Sequence, residues 1–346
     1  MPPQPSKRRK LLVALASLAA AVAAGEIAVR LLIGSPLAEH LPILLMQANE
    51  RRGWEMVPNH VHYTYRYEVR VNSLGLRGAE LAEKRPGEVR VLALGDSLIY
   101  GQGVAEQDTL PVLLEAALQR RETNERQWTV VNGGNRAYDT RQELALLEEL
   151  GPRIEPDIVI LFWYWNDLHE RNIELTYENL KTRGVLAFDT GNRVEGWDRV
   201  RWQAKQLLRR SALLMFAYDL LGRSQDPTLP PQYADKRFAL LAGYLDRFVA
   251  LGASESFDPL FAVVPDAHLL EGQEVTQPLF ERALGLARER GLTTLELLPA
   301  LVPLHRELDR LPIIPFDGHY LPEANRAMAE RVAETLFELE LPRSAD

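Results

Sequence analysis

The chain is 346 residues long and carries 40 Lys and Arg against 48 Asp and Glu, a net charge of −8 that argues against nucleic acid as a partner. Its 46% hydrophobic and 25% charged residues describe a globular chain able to bury the core of one large domain or two small ones, and exclude a disordered one. Cysteine is absent, which excludes disulfides, thiolate catalysis and cysteine-based zinc sites.

The amino terminus opens with a basic cluster, Lys7-Arg8-Arg9-Lys10, directly before an apolar run from Leu11 to Gly25. Three readings compete: a cleaved signal peptide, an uncleaved membrane anchor and a soluble amphipathic helix. Ala21-Val22-Ala23 is a triplet a signal peptidase could use, but apolar character resumes after Glu26 and continues to Ile33. A helix over Leu11–Ile33 measures about 34 Å at 1.5 Å per residue, enough to cross a bilayer. Glu26 and Arg30 stand four residues apart and can pair on one helix face. The continued run favours the anchor. With either an anchor or a cleaved signal, the basic cluster stays on the cytoplasmic side and the chain after residue 35 lies outside, in the periplasm or at the cell surface.

Residues 36–88 read as an extension ahead of the main domain. The alternation of Tyr63, Tyr65, Tyr67, Val69 and Val71 predicts an exposed hairpin or edge strand. Asn72-Ser73-Leu74-Gly75-Leu76-Arg77-Gly78 is a turn-rich link, in which Arg77 is expected to form a structural salt bridge, with capture of an anionic substrate group as the alternative. His60 and His62 share a strand face, but nothing nearby completes a metal site, and both are expected at the surface.

Residues 89–94, rich in Val and Leu, predict a buried strand that ends at Gly95, with Asp96 and Ser97 on the turn. A Ser at the carboxyl end of a buried parallel strand is where open α/β sheets build their sites; the alternative is that Asp96 or Ser97 merely caps a helix. A helix follows over about 110–118, then a strand Trp128–Asn132 running into Gly133-Gly134-Asn135-Arg136-Ala137-Tyr138, and a helix that turns Leu144, Leu147 and Leu150 to the sheet. The third strand, Ile158–Phe162, leads into Trp163-Tyr164-Trp165-Asn166-Asp167-Leu168. Residues 169–233 form an insertion whose Trp197, Trp202, Leu207, Leu208, Leu213, Leu214, Phe216 and Tyr218 predict amphipathic helices, closed by Pro227, Pro230 and Pro231. It is either a cap that selects substrate or a surface facing a partner or a membrane. A helix over 234–251, a strand over 259–264 ending in Pro265-Asp266-Ala267-His268, a helix over 278–290, a strand over 292–297 and a last helix over 322–339 complete the chain. Five strands separated by helices predict one doubly wound parallel sheet, a flavodoxin-like three-layer α/β/α fold, behind an N-terminal membrane helix.

A serine nucleophile needs a base, usually a His oriented by a carboxylate. Of seven histidines, His169 opens the insertion and is set aside, and two of the others sit in an Asp-x-His pattern near the carboxyl ends of strands: Asp266-Ala267-His268 and Asp317-Gly318-His319. Position in the chain leaves both open.

Gly95-Asp96-Ser97-Leu98 after a first strand resembles the nucleophile block of the SGNH (GDSL-type) hydrolases, and three further blocks follow in the family's order over roughly residues 72–340. A stretch similar to Asn72–Gly78 precedes the catalytic strand in many membrane-tethered bacterial members. The resemblance implies Ser97 as nucleophile, His319 as general base and Asp317 as the carboxylate orienting it. It implies an oxyanion hole made by the backbone N–H groups of Ser97 and Gly134 and the side-chain amide of Asn166. Asp96 becomes structural, and no metal or organic cofactor is needed. Three positions depart from the pattern: Ala137 replaces a second glycine before the tyrosine, Tyr164 stands where the third block has glycine, and Asp-Gly-His replaces the more widespread Asp-x-x-His. The implied domain plan is a stub and anchor over 1–35, an extension over 36–88 and the hydrolase domain over 89–342. The implied activity is hydrolysis of carboxylic esters, O-acetyl groups among them, on a small molecule or glycan. Transfer of the acyl group to a polysaccharide hydroxyl is one alternative, and a non-catalytic tethered binding protein the other.

Overall fold

The computed structural model describes residues 6–40, 42–124, 126–169, 172–187, 197–221 and 231–342. Two compact units result. The larger comprises Glu39–Arg193, Asp226–Ile313 and His319–Asp346; the smaller comprises Met1–Ala38, Val194–Gln225 and Ile314–Gly318.

In chain order, helix α1 (Lys7–Leu32) is followed by two antiparallel pairs, β1 (Leu45–Asn49) with β2 (Gly53–Met56) and β3 (His60–Thr64) with β4 (Tyr67–Val71). The alternating core then runs through β5 (Glu88–Gly95), the single-turn α2 (Ser97–Tyr100), α3 (Leu110–Arg121), β6 (Gln127–Gly134), α4 (Thr140–Ile154) and β7 (Ile158–Trp163). Next come α5 (Ile173–Arg183), β8 (Leu186–Ala187), α6 (Trp197–Arg209) and α7 (Ala212–Leu220). The core resumes with α8 (Pro231–Glu255), β9 (Asp258–Val263), the short α9 (Ala267–Leu270), α10 (Gln277–Glu289), β10 (Thr293–Glu296), α11 (Leu298–Leu308) and α12 (Pro322–Glu338). Pro227 and Pro230, expected to close the insertion, lie outside the described residues.

The larger unit is built on a five-stranded parallel sheet ordered β10-β9-β7-β5-β6. Numbered along the chain, that is 2-1-3-4-5, the flavodoxin order, as expected. Both faces are covered, which is why these strands read as continuous apolar runs rather than alternating ones. On one face Leu92, Leu94, Val159, Leu161 and Phe261 pack under α4, α8 and α10; on the other Val91, Ala93, Ile158, Ile160 and Leu260 pack under α3, α11 and α12. The order reverses between β5 and β7, so the crevice at their carboxyl ends is the topological switch point. Ser97 follows one of these strands and Asn166 the other.

Helix α11 stands where the sequence reading assigned no element; its Pro299 sits in the first turn, where its missing N–H costs nothing. Two expectations change. Arg77 forms no carboxylate salt bridge among the described residues. Its guanidinium is buried and donates to the carbonyls of Tyr100 (2.8 Å), Gly101 (2.7 Å) and Val104 (2.9 Å), clamping the chain that leaves α2. His62 is a core residue with 0% exposure, its Nε2 2.8 Å from the Tyr100 hydroxyl, while His60 stays at the surface. The hairpin β3–β4 thus packs one face on α2 and the chain after it, which its period-2 pattern alone does not specify.

In the smaller unit α1 is long and apolar enough to cross a membrane, as an anchor or a signal sequence would be. Its last turns pack against α7.

Burial, then the Arg77 and Arg136 charges, lowers the His62 pKa to about 3. Between that value and the ordinary 6.5 the unfolded chain binds a proton that the native protein refuses. Stability from this group is therefore complete above the ordinary value and is lost as pH falls through the window. Chemical denaturation from about pH 7 to about pH 4 is expected to show a slope that His62→Gln reduces by up to one proton.

Candidate active site

The site starts at the end of β5, where Gly95 is required: a Cβ there would sit 2.4 Å from Ile99 Cγ1 of the following turn. Asp96 then caps α2, its Oδ1 accepting from the Leu98 N–H at 2.8 Å. Its Oδ2 accepts from Asn166 Nδ2, also at 2.8 Å, joining the turn after β5 to the turn after β7. Capping was the alternative reading of this stretch, and Asp96 does perform it. The same cap places Ser97 at the first position of the helix.

The Ser97 hydroxyl meets His319 Nε2 at 2.8 Å. His319 is held by its neighbour: the buried Tyr320 donates its hydroxyl to the Pro265 carbonyl after β9, and Ile313 and Tyr320 form a bridge. The other Asp-x-His pair also adopts an orienting geometry. Asp266 Oδ2 lies 3.0 Å from His268 Nδ1, while its Oδ1 accepts from the Leu269 N–H and the Thr276 hydroxyl. The bond to Ser97, however, is made by His319. Asp317 belongs to the smaller unit, in a turn where the N–H groups of Asp317 and Gly318 both close on the Ile314 carbonyl.

Asn166 carries two hydrogens on Nδ2, and one is given to Asp96. Gly134 is placed differently from the expectation. Its single N–H donates to Asn132 Oδ1 at 2.9 Å, and a Cβ at this position would lie 2.1 Å from the Tyr100 nitrogen. Its glycine identity is demanded by the close approach of α2. The neighbouring Ala137 sits in the left-handed region at φ 59°, which accounts for the glycine that the resembled family often carries there. Tyr164, at the family's third-block glycine, packs on Trp165 and Phe280. Burial pushes its phenol pKa up, with the Asp266 and Asp96 carboxylates adding to the shift.

One residue of this region went unread in sequence. Glu143 on α4 has 0% exposure, and neither carboxylate oxygen has a hydrogen-bond partner among the described residues. Burial, then the charges of Asp167, Asp96 and Asp139, holds its pKa well above the usual 4.5, which favours the protonated carboxyl. The signal was its spacing, since Glu143, Leu147 and Leu150 fall on one helix face. Among the described residues no cluster of His, Asp and Glu is placed to hold a metal ion.

No family model and no curated protein matches the chain. Solved structures do. A lipase/acylhydrolase from Enterococcus faecalis matches at 12% identity and TM-score 0.44, over 72% of this chain and 96% of that one. A psychrotrophic esterase from Pseudoalteromonas sp. matches at 11% identity and TM-score 0.43, over 72% and 98%. A member of the lipolytic protein G-D-S-L family from Veillonella parvula matches at 11% identity and TM-score 0.39, over 72% and 98%. At these scores the likenesses carry no argument, and the chemistry is read from the side chains.

Two outcomes follow from this geometry. Gly134→Ala drives a methyl into backbone that cannot yield, and a loss of about 3 kcal/mol is expected in urea unfolding. For Glu143 the raised pKa means that its contribution is complete below the unfolded value and lost as pH rises above it. Glu143→Gln, isosteric and uncharged, is therefore expected to change little at about pH 4 and to be more stable than wild type at about pH 8. Equal destabilisation at both values would contradict a protonated Glu143.

Proposed function

We propose that the chain is a serine esterase acting on carboxylic esters, O-acetyl groups among them, from the outer side of a membrane to which α1 anchors it. The observation that carries this reading is the 2.8 Å contact of His319 Nε2 with the Ser97 hydroxyl at the switch point of the sheet. Ser97 attacks the ester carbonyl and passes its proton to Nε2 of His319. The resemblance gives Asp317 the task of holding the proton on Nδ1 and stabilising the imidazolium. Negative charge developing on the carbonyl oxygen is met by the Ser97 N–H and by the second Nδ2 hydrogen of Asn166. The Gly134 N–H joins them only by giving up Asn132. Each such donor is worth about 2.7–4 kcal/mol of transition-state stabilisation. The imidazolium then protonates the departing alcohol, and water repeats the sequence on the acyl-enzyme, returning the acid and free Ser97.

The test is labelling of the full-length protein in detergent by a fluorophosphonate, beside turnover of p-nitrophenyl acetate and butyrate. Ser97→Ala is expected to abolish both. His319→Ala is expected to lower kcat/KM by about 10²–10⁴-fold. His268→Ala is expected to retain both activities. A folded wild type that neither labels nor turns over defeats the esterase reading and favours the tethered binding protein. Labelling without hydrolysis favours transfer to a sugar hydroxyl.

A further inference from the structure

The smaller unit presents an apolar surface that the chemistry above does not use. Helix α1 exposes Leu11, Leu15, Leu18, Ile27, Leu31 and Leu32. Beside its last two turns sits α7, Ala-Leu-Leu-Met-Phe-Ala-Tyr-Asp-Leu, whose one charge, Asp219, falls in the last turn. The contact is close because α1 is small there: a Cβ on Gly25 would be 3.3 Å from Leu213 Cδ2, the kind of small-residue crossing that brings helices together in lipid. The next residue, Glu26, would be costly at membrane depth unless fully bonded. It is satisfied by the Ser211 hydroxyl (2.7 Å), the Ala212 N–H (3.0 Å), the Leu213 N–H (2.9 Å) and Arg30 Nε (2.7 Å). Arg30 in turn donates to the Arg210 carbonyl and the Ser35 hydroxyl.

This cluster fixes the depth of α7. Glu26 lies six residues before Leu32, about 9 Å along the helix, so the amino end of α7 meets α1 below its outer end rather than beyond it. From that point α7 points Leu214 and Tyr218 outward, and its last residue, Leu220, and the one after it, Leu221, are 70% and 73% exposed. Its neighbour α6 exposes Trp197, Val200, Leu207 and Leu208 together with Arg201, and the connection to α7 exposes Arg210. Apolar side chains, a Trp and arginines in one helical pair form the pattern of an element lying in a headgroup region, with the cations suited to phosphate. A contiguous apolar surface of this kind would be a liability in water.

We propose that α6 and α7 form an interfacial membrane element: α7 lies in the acyl region alongside the last turns of α1, and α6 lies at the level of anionic phospholipid headgroups. The proposal rests on reading α1 as a membrane span. Its occupant is the bilayer itself, because α7 is continuous with the exposed surface of α1 and is bonded to it at membrane depth.

The absence of cysteine makes the test direct, since single-cysteine variants need no background mutations. Full-length Val22→Cys, Leu214→Cys, Tyr218→Cys, Leu221→Cys and Ser254→Cys would carry a nitroxide in nanodiscs containing phosphatidylglycerol, each variant first checked by thermal melting. Collision with oxygen relative to a water-soluble nickel chelate reports lipid against water. The ratio at residues 214 and 221 is expected to exceed that at 254 severalfold and to approach that at 22, with 218 as a second site on the helix. A lipid-like value at 22 beside water-like values at 214, 218 and 221 overturns the proposal and leaves the anchor standing. A water-like value at 22 removes the anchor, and the proposal with it. Low oxygen collision with dipolar broadening between labels at 214 would show that a second copy covers the face, which also overturns it.

Discussion

Both oxygens of the Asp96 carboxylate are committed, one to the first turn of α2 and one to Asn166, and the side chain is buried. The Ser97 turn and the Asn166 amide are therefore not independent, because a single rigid group sets the spacing between them. Without it, Leu98 N–H and one Asn166 hydrogen would lose their acceptor in a region poor in water. The sheet contributes the other half of the constraint. Parallel neighbours β5 and β7 bring their carboxyl ends to one edge, so two loops separated by about seventy residues of chain can share one carboxylate.

The elements around this link serve the same geometry from other sides. Gly134 lets β6 run against the backbone of α2, and Arg77 ties the residues after α2 to the link preceding β5. The one-turn helix is thus held at its start by a carboxylate, along its flank by a glycine and at its end by a guanidinium. His319 reaches Ser97 from the far end of the chain because Tyr320 fastens it to the loop after β9. Glu143 is buried on α4 close enough to Asp167, Asp96 and Asp139 that burial and their charges together push its pKa up.

The smaller unit poses a different problem and solves it by the same means. A carboxylate in an apolar helix is expensive until it is fully bonded, and Glu26 collects its donors from the first turn of α7 and from Arg30. The result fixes one helix against the other through polar atoms while the apolar side chains remain outward. That division suits a surround that is not water.

The sequence by itself determined the five parallel strands, the helices between them and the order of the motif blocks. Strands buried on both faces must be continuously apolar, and turns that reverse at a sheet edge need Gly, Asp and Ser. It also carried the apolar helix at the amino terminus, because spanning length and composition are local properties. Local pattern left His268 and His319 equivalent and the motif order pointed to His319; tertiary structure adds the contact itself, His319 with Ser97 and His268 with Asp266. It alone decided that His62 is an interior residue, that Arg77 binds carbonyls rather than a carboxylate, and that Gly134 answers to a neighbouring backbone. It alone revealed α11, which begins with Pro299 in its first turn and carries Pro303 inside. In each case the deciding partner lies far along the chain, and periodicity records which face a residue occupies but not what another segment brings to that face.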